Sequence, residues 1–146
     1  MGHKQPFFAF KNRLARDGVL LPGVGDITRM LARDLVIHVV TGDTFGCAAA
    51  ALSGYPCQLT ILDGNENQGA AKLAFIEALG PSDCACIGNG RNDSKMVAAA
   101  GIGIAVIGPE GAATEIVKAA AIVVSDIRIA QELVLHPLRL VATLRS

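Results

Sequence analysis

The chain has 146 residues, the length of one ordinary domain, and 51% of them are hydrophobic, so a disordered chain is excluded. Thirteen Lys and Arg residues balance thirteen Asp and Glu residues, which leaves a formal net charge of +0. A chain without excess positive charge lacks the electrostatic footprint of a general nucleic-acid-binding protein, and we expect no nucleic-acid partner.

The apolar segments do not indicate a membrane protein. The longest uncharged run, between Asp43 and Asp63, is interrupted by Gly54 and Pro56, so a helix, a turn and a strand explain it better than a membrane span. The first residues carry neither a long apolar segment nor a small-residue cleavage site. The sequence therefore predicts a cytoplasmic protein with no membrane partner.

Short apolar runs alternate with helical stretches along the chain. Strands are predicted at residues 7–10, 35–40, 58–62, 84–87, 102–107 and 122–124. Helices are predicted at residues 26–33, 44–52, 67–79, 94–100, 111–120 and 127–135. Near-continuous apolar strands are typical of parallel sheets that helices cover on both faces. The pattern predicts one doubly wound, three-layer, Rossmann-like α/β domain over residues 1–146, with ligands bound beyond the carboxyl ends of the strands.

The four cysteines are spaced neither like a zinc knuckle nor like a small disulfide framework. Cys84 and Cys86 stand two residues apart in an apolar run, so both side chains should face the same side of a sheet. We expect buried, reduced thiols rather than a metal or redox site.

The strand predicted at residues 35–40 is followed by Thr41, Gly42 and Asp43. A hydroxyl group and a tight glycine turn at a junction between a strand and a helix can hold an anion, together with nearby backbone N–H groups. In the alternative interpretation, Thr41 or Asp43 only caps the next helix. This segment alone does not decide between the two.

A second candidate loop, Gly-Asn-Gly-Arg-Asn-Asp at residues 88–93, directly follows the strand at 84–87. Its glycines permit a close approach to a ligand, and Asp93 can present a carboxylate to a hard cation, although an ordinary loop and helix cap is the alternative. Lys72, on the intervening helix, would alone be interpreted as a solvated surface lysine. The order of Thr41, Lys72 and this loop indicates one constellation.

That constellation resembles the haloacid dehalogenase-like phosphohydrolase superfamily, and most closely the phosphorylation domain of P-type ATPases and its soluble relatives. The resemblance runs from about Leu14 to the C-terminus. It implies that Thr41, with Gly42, binds the oxygens of the transferred phosphoryl group. It also implies that Lys72 neutralises the phosphate and the nucleophile.

The same resemblance implies Mg²⁺ as the cofactor. Asp93 matches the last carboxylate of the metal-binding loop of the family, Asn89 stands where Asp is commoner, and Asn92 is a further weak candidate ligand. Because Mg²⁺ prefers carboxylate oxygens, a loop with one carboxylate predicts low metal affinity.

The sequence departs from the family pattern in its first residues. In the family, the first strand ends in Asp-x-Asp-x-Thr, and the leading Asp attacks phosphorus. An ungapped alignment places Ala9 at the nucleophile and Lys11 at the second Asp, whereas a two-residue deletion places Lys11 at the nucleophile. Neither supplies the carboxylate that an aspartyl-phosphate requires, so we expect hydrolysis to be lost or strongly impaired. Asp17 lies several residues too far along the chain to replace it.

Lys11 suggests a further hypothesis. Its ammonium group could pair with Asp93 and take over part of the charge role of Mg²⁺. Lys72, Thr41 and Arg13 would then leave a net-positive pocket for phosphate or a phosphorylated metabolite without metal. In the alternative, residues 1–13 are disordered or rearranged and Lys11 is simply solvated.

Three functions therefore remain open. The first is a domain that binds phosphate or a phosphorylated ligand with little or no phosphatase activity; the second is an active Mg²⁺-dependent phosphatase. The third is a structural or regulatory α/β subunit. The spacing between the predicted strands leaves no room for a large cap domain, and because capless family members often cover their site with a neighbouring subunit, the resemblance makes a homo-oligomer an expectation.

Overall fold

A computed structural model of the chain describes residues 15–16, 19–33, 35–42, 47–62, 67–108 and 111–136. Its strands are β1 (Ala15–Arg16), β2 (Val19–Leu20), β3 (His38–Thr41), β4 (Gln58–Ile61), β5 (Ala85–Gly88), β6 (Ile102–Val106) and β7 (Ile122–Val124). Its helices are α1 (Val24–Leu31), α2 (Cys47–Leu52), α3 (Gln68–Leu79), α4 (Ser94–Ala99), α5 (Thr114–Ala119) and α6 (Ile127–Leu135). The strand predicted at residues 7–10, with Ala9 and Lys11 at or beside it, lies outside the described residues.

The larger strands are parallel and helices connect them, as the sequence predicts. β3 pairs with β4, and β5, β6 and β7 pair in that order, all in parallel. α2 connects β3 to β4, while α4 and α5 connect β5 to β6 and β6 to β7. β3 and β5 are buried along their whole length, and within the described residues each is paired on one edge.

Two hydrophobic cores lie on opposite faces of the strands, because successive side chains of a strand point in opposite directions. Val39 belongs to one core and Val40 to the other, and Ile104 and Ala105 divide in the same way. The first core contains apolar side chains of α1 and α6, and the second contains those of α3, α4 and α5. Helices therefore cover both faces, which confirms the three-layer α/β architecture.

Several predicted elements have different ends in the structure. The helix predicted at residues 26–33 begins at Val24, because Gly23 adopts a left-handed φ of 87° that turns the chain directly into the first helical turn. The helix predicted at 111–120 begins only at Thr114, since Gly111 is left-handed as well, with a φ of 82°. The hairpin of β1 and β2 was not predicted, because two-residue strands carry no periodic pattern.

Two of the cysteines agree with the expectation of buried thiols, whereas the free Cys57 is only partly buried. Cys84 and Cys86 are free and lie in the same hydrophobic core. Burial raises the pKa of both thiols, which favours the unreactive protonated form.

None of the helices in the described part of the chain has the length and apolar character that a membrane span requires.

His38, the first residue of β3, is buried against α3. Its ring contacts Phe75 edge to face, with 5.4 Å between the ring centroids. Burial lowers the pKa of His38 below the usual 6.5, because the charged imidazolium is poorly solvated there. The unfolded chain therefore takes up a proton at a higher pH than the folded chain does.

This difference predicts a pH dependence of stability. The contribution of His38 is fully present above pH 6.5 and is lost as the pH falls through its lowered folded-state pKa. We expect His38→Gln to remove a slope of at most about 1.4 kcal/mol per pH unit from the unfolding free energy below that pH, measured by urea denaturation. His136→Gln, at an exposed helix end, is the matched control. An unchanged slope in His38→Gln would contradict this account.

Candidate functional site

The loop that follows β5 folds back around the side chain of Asp93. A 3-10 turn at Arg91–Asp93 brings the carboxylate over the start of the loop, where its Oδ2 accepts the backbone N–H groups of Asn89 (3.2 Å) and Gly90 (3.1 Å). A side-chain carbon at Gly88 would lie only 2.5 Å from Cβ of Asp93. The sequence predicted that these glycines permit close approach to a ligand, and at Gly88 the close approach is to Asp93.

Lys72 is the partner of this carboxylate. Its Nζ donates to Oδ1 of Asp93 over 2.6 Å, and both side chains are completely buried, with 0% exposure. The alternative of a solvated surface lysine is therefore wrong. Taking two charges out of water is costly, and here the cost is offset by their mutual attraction and by the backbone N–H groups on the second oxygen.

The pairing bears on the hypothesis for Lys11. The negative charge of Asp93 is already balanced by Lys72, at hydrogen-bonding distance. Lys11 lies outside the described residues, so its own contacts stay a prediction. The charge role that the hypothesis gave to Lys11 at Asp93 is filled by a lysine that the sequence assigned to the phosphate instead.

Two side-chain amides extend the cluster from Lys72 towards the end of β3. Oδ1 of Asn92 lies 3.4 Å from Nζ of Lys72, and Nδ2 of Asn92 donates to Oε1 of Gln68 over 3.0 Å. The amide of Gln68 in turn lies against Gly42, where any side chain would collide with it. Thr41 precedes Gly42 and is buried at the end of β3. The structure thus links Gly42, which follows Thr41, to the pair of Lys72 and Asp93 through the two amides, and a shared binding role for these residues stays a prediction.

Gln68 is the residue of this region that the sequence analysis missed. It is the first residue of α3, directly after Asn67, whose side chain caps the helix by accepting the N–H group of Ala70. Its spacing of four residues from Lys72 was the available indication, because residues four apart share one face of a helix.

Exposure divides the cluster into an interior and a rim. Lys72 and Asp93 form the buried interior, while Gly42, Gln68 and Asn92 are each partly exposed. A ligand that arrives from solvent therefore meets the amides before it meets the ion pair.

The described side chains do not by themselves fit a Mg²⁺ ion. Both oxygens of Asp93 are hydrogen-bonded, one of them to an ammonium group. Oδ1 of Asn89 is buried with no hydrogen-bond partner among the described residues, but it is a single neutral oxygen. Within the same residues there is no group of three His, Cys, Asp or Glu side chains that could hold a metal. Because Mg²⁺ is usually held by carboxylates together with water and phosphate oxygens, this donor set is insufficient.

The ion pair predicts non-additive effects of mutation. Lys72→Met or Asp93→Asn alone leaves one buried charge without its partner and should lower the unfolding free energy by about 3–5 kcal/mol. The double variant removes both charges, so we expect it to be more stable than the sum of the single effects by about 1–3 kcal/mol. Urea denaturation of the four proteins measures this coupling. Strictly additive effects would show that the two groups do not interact.

Comparisons with known proteins show what the sequence and the fold are similar to. The sequence model of the haloacid dehalogenase-like hydrolases matches residues 52–128, which include Lys72 and the loop at 88–93. The uncharacterised protein MJ0073 of Methanocaldococcus jannaschii is 42% identical over 80 residues, which are 52% of this chain and 86% of that protein.

Two solved structures share the fold at low sequence identity. The 3-deoxy-D-manno-octulosonate 8-phosphate phosphatase of Moraxella catarrhalis, solved with magnesium, phosphate and KDO, has a TM-score of 0.66 and 19% identity, covering 98% of this chain and 95% of that one. The catalytic domain of the CPx-ATPase CopB-B has a TM-score of 0.59 and 20% identity, covering 81% and 46%. The match at residues 52–128 spans more than half of the sequence. The chain therefore belongs to the haloacid dehalogenase-like hydrolase family.

Proposed function

We propose that the protein binds phosphate, or the phosphoryl group of a small phosphorylated molecule, at the cluster of Thr41, Gly42, Lys72 and Asp93. The observation that carries the proposal is the fully buried ion pair between Lys72 and Asp93, directly beyond the carboxyl end of β5. A buried ion pair contributes little net stability compared with apolar side chains of similar size. Its presence at the edge where ligands bind in open α/β sheets is better explained by a binding role.

The chemistry of each group supports an anion as the ligand. The ammonium of Lys72 carries three N–H donors and gives one of them to Asp93, so a further N–H group can donate to a phosphoryl oxygen. Thr41 and the backbone at Gly42 offer a hydroxyl group and an N–H group at the end of a strand. The phosphatase from Moraxella catarrhalis, which shares this fold, was solved with a phosphate ion.

We further propose that hydrolysis is strongly impaired. The first 16 residues contain no Asp or Glu, and neither the ungapped alignment, with Ala9 and Lys11 at the two Asp positions, nor the one with a two-residue deletion, with Lys11 at the nucleophile, supplies a carboxylate. Without a nucleophilic carboxylate, no aspartyl-phosphate can form, and loss of a nucleophile commonly lowers the rate by several orders of magnitude. The protein would then act as a binding or regulatory module. Three further features stay predictions: a cytoplasmic location, a single domain over residues 1–146 and a homo-oligomeric state.

A second candidate, an active Mg²⁺-dependent phosphatase, is favoured by the same ion pair. Lys72 and Asp93 lie together, and the Moraxella phosphatase was solved with a magnesium ion. In that case Mg²⁺ would polarise the phosphoryl oxygens, and its remaining ligands would have to come from beyond the described residues. The third candidate, a structural α/β subunit, predicts that no anion raises the thermal stability.

Calorimetric titration with inorganic phosphate tests the binding proposal. We expect saturable binding in the presence of EDTA, because the donor set provides a cation but an insufficient set of metal ligands. Lys72→Met should abolish this binding, whereas Lys118→Met, which removes an exposed lysine of α5, should leave it unchanged. Strict dependence on Mg²⁺ would overturn metal-free binding, and no heat with or without Mg²⁺ would overturn the proposal as a whole.

Turnover of p-nitrophenyl phosphate in the presence of Mg²⁺ separates impaired from active enzyme. We expect the wild-type rate to lie several orders of magnitude below that of the double variant Ala9→Asp/Lys11→Asp, because the variant restores both carboxylates. Adding Asp93→Asn to the double variant should remove the regained activity. Wild-type turnover that matches the restored variant and is lost in Asp93→Asn would establish the active phosphatase instead.

A further inference from the structure

The charge of Lys72 fixes the direction of the hydrogen-bonded chain that leads away from it. An ammonium group can only donate, so the atom of Asn92 that faces Nζ at 3.4 Å must be the oxygen, Oδ1. The amide nitrogen of Asn92 then points the other way and donates to Oε1 of Gln68. Because Oε1 of Gln68 is the acceptor, the nitrogen of this second amide, Nε2, is left at the far end.

That far end lies against Gly42. A side-chain carbon at this position would come nearest to Nε2 of Gln68, ahead of the carbon and oxygen of the same amide. Gln68 is partly exposed, and its Nε2 has no hydrogen-bond partner among the residues that the structure describes. An oriented N–H donor therefore stands beside the predicted phosphate-binding segment, on the side that solvent reaches.

We propose that Gln68 is a ligand-binding residue that donates a hydrogen bond from Nε2 to an oxygen of the bound phosphoryl group. The inference rests on the proposed binding function and adds a residue to it. The buried lysine sets the orientation of both amides before the ligand arrives, so the donor needs no reorganisation on binding. A neutral donor also adds directional recognition of an oxygen without adding charge to the site.

This arrangement gives a reason for a glycine at position 42. A side chain at position 42 would occupy the space of the Gln68 amide and displace it. The alternative is that Gln68 is only a strut that holds Asn92 in place. A strut would influence the stability of the fold but would not sense phosphate.

Nuclear magnetic resonance of the 15N-labelled wild-type protein tests the inference directly. On titration with inorganic phosphate, we expect the side-chain amide signal of Gln68 to shift saturably, its protons moving downfield, with the same Kd that calorimetry gives. The side-chain signal of exposed Gln58, at the opposite end of the β3–β4 pair, should stay in place.

Variants supply the second measurement. Gln68→Met keeps the length of the side chain but removes the donor, and it should weaken phosphate binding about tenfold, as expected for a lost hydrogen bond to a charged group. Gln58→Met should bind like the wild type. If Gln68→Met does not fold, the wild-type titration decides alone.

The failures are distinguishable. If the wild-type protein binds phosphate while the Gln68 signal stays in place, or if Gln68→Met retains full affinity, the inference is overturned and the proposed function stands. If the wild-type protein does not bind phosphate at all, both fail together.

Discussion

The ion pair of Lys72 and Asp93 is the interaction on which the rest of the site depends. Two unit charges at 0% exposure are tolerated only because each finds an opposite charge and because the second carboxylate oxygen accepts two backbone N–H groups. Those bonds require the tight 3-10 turn of the loop after β5 and a glycine at position 88. The need to stabilise the buried carboxylate of Asp93 therefore constrains the conformation of the whole loop after β5.

The architecture follows from the pattern of the sequence, whereas the limits of individual elements do not. Continuous apolar runs predict parallel strands covered on both faces, and β3 to β7 have that character. The helix starts were displaced by two or three residues because they depend on the left-handed backbone at Gly23 and Gly111. The sequence shows which positions are glycines, but the φ angle of each glycine is set by the packing around it.

The sequence indicated that Lys72 and Asp93 belong to one cluster, but it did not indicate their pairing. Their order along the chain, after Thr41, predicted the cluster, and the two side chains do meet; the binding role of Thr41 stays a proposal. That Lys72 bonds to Asp93 could not be read from this order, because it depends on the depth to which the two side chains are buried. Gln68 was not predicted because its hydrogen bond to the cluster runs through Asn92, which lies 24 residues later in the sequence.

One face of α3 joins the site to the interior of the protein. Gln68, Lys72 and Ile76 follow one another at intervals of four residues, so the same stripe begins at the solvent rim, passes through the ion pair and ends in the second core. A rigid helix cannot turn at one end alone. Substitutions around Ile76, well away from the rim, thus act on the ion pair and on Gln68 through the rotational setting of this helix, so the packing of the core and the geometry of the cluster are constrained to evolve together.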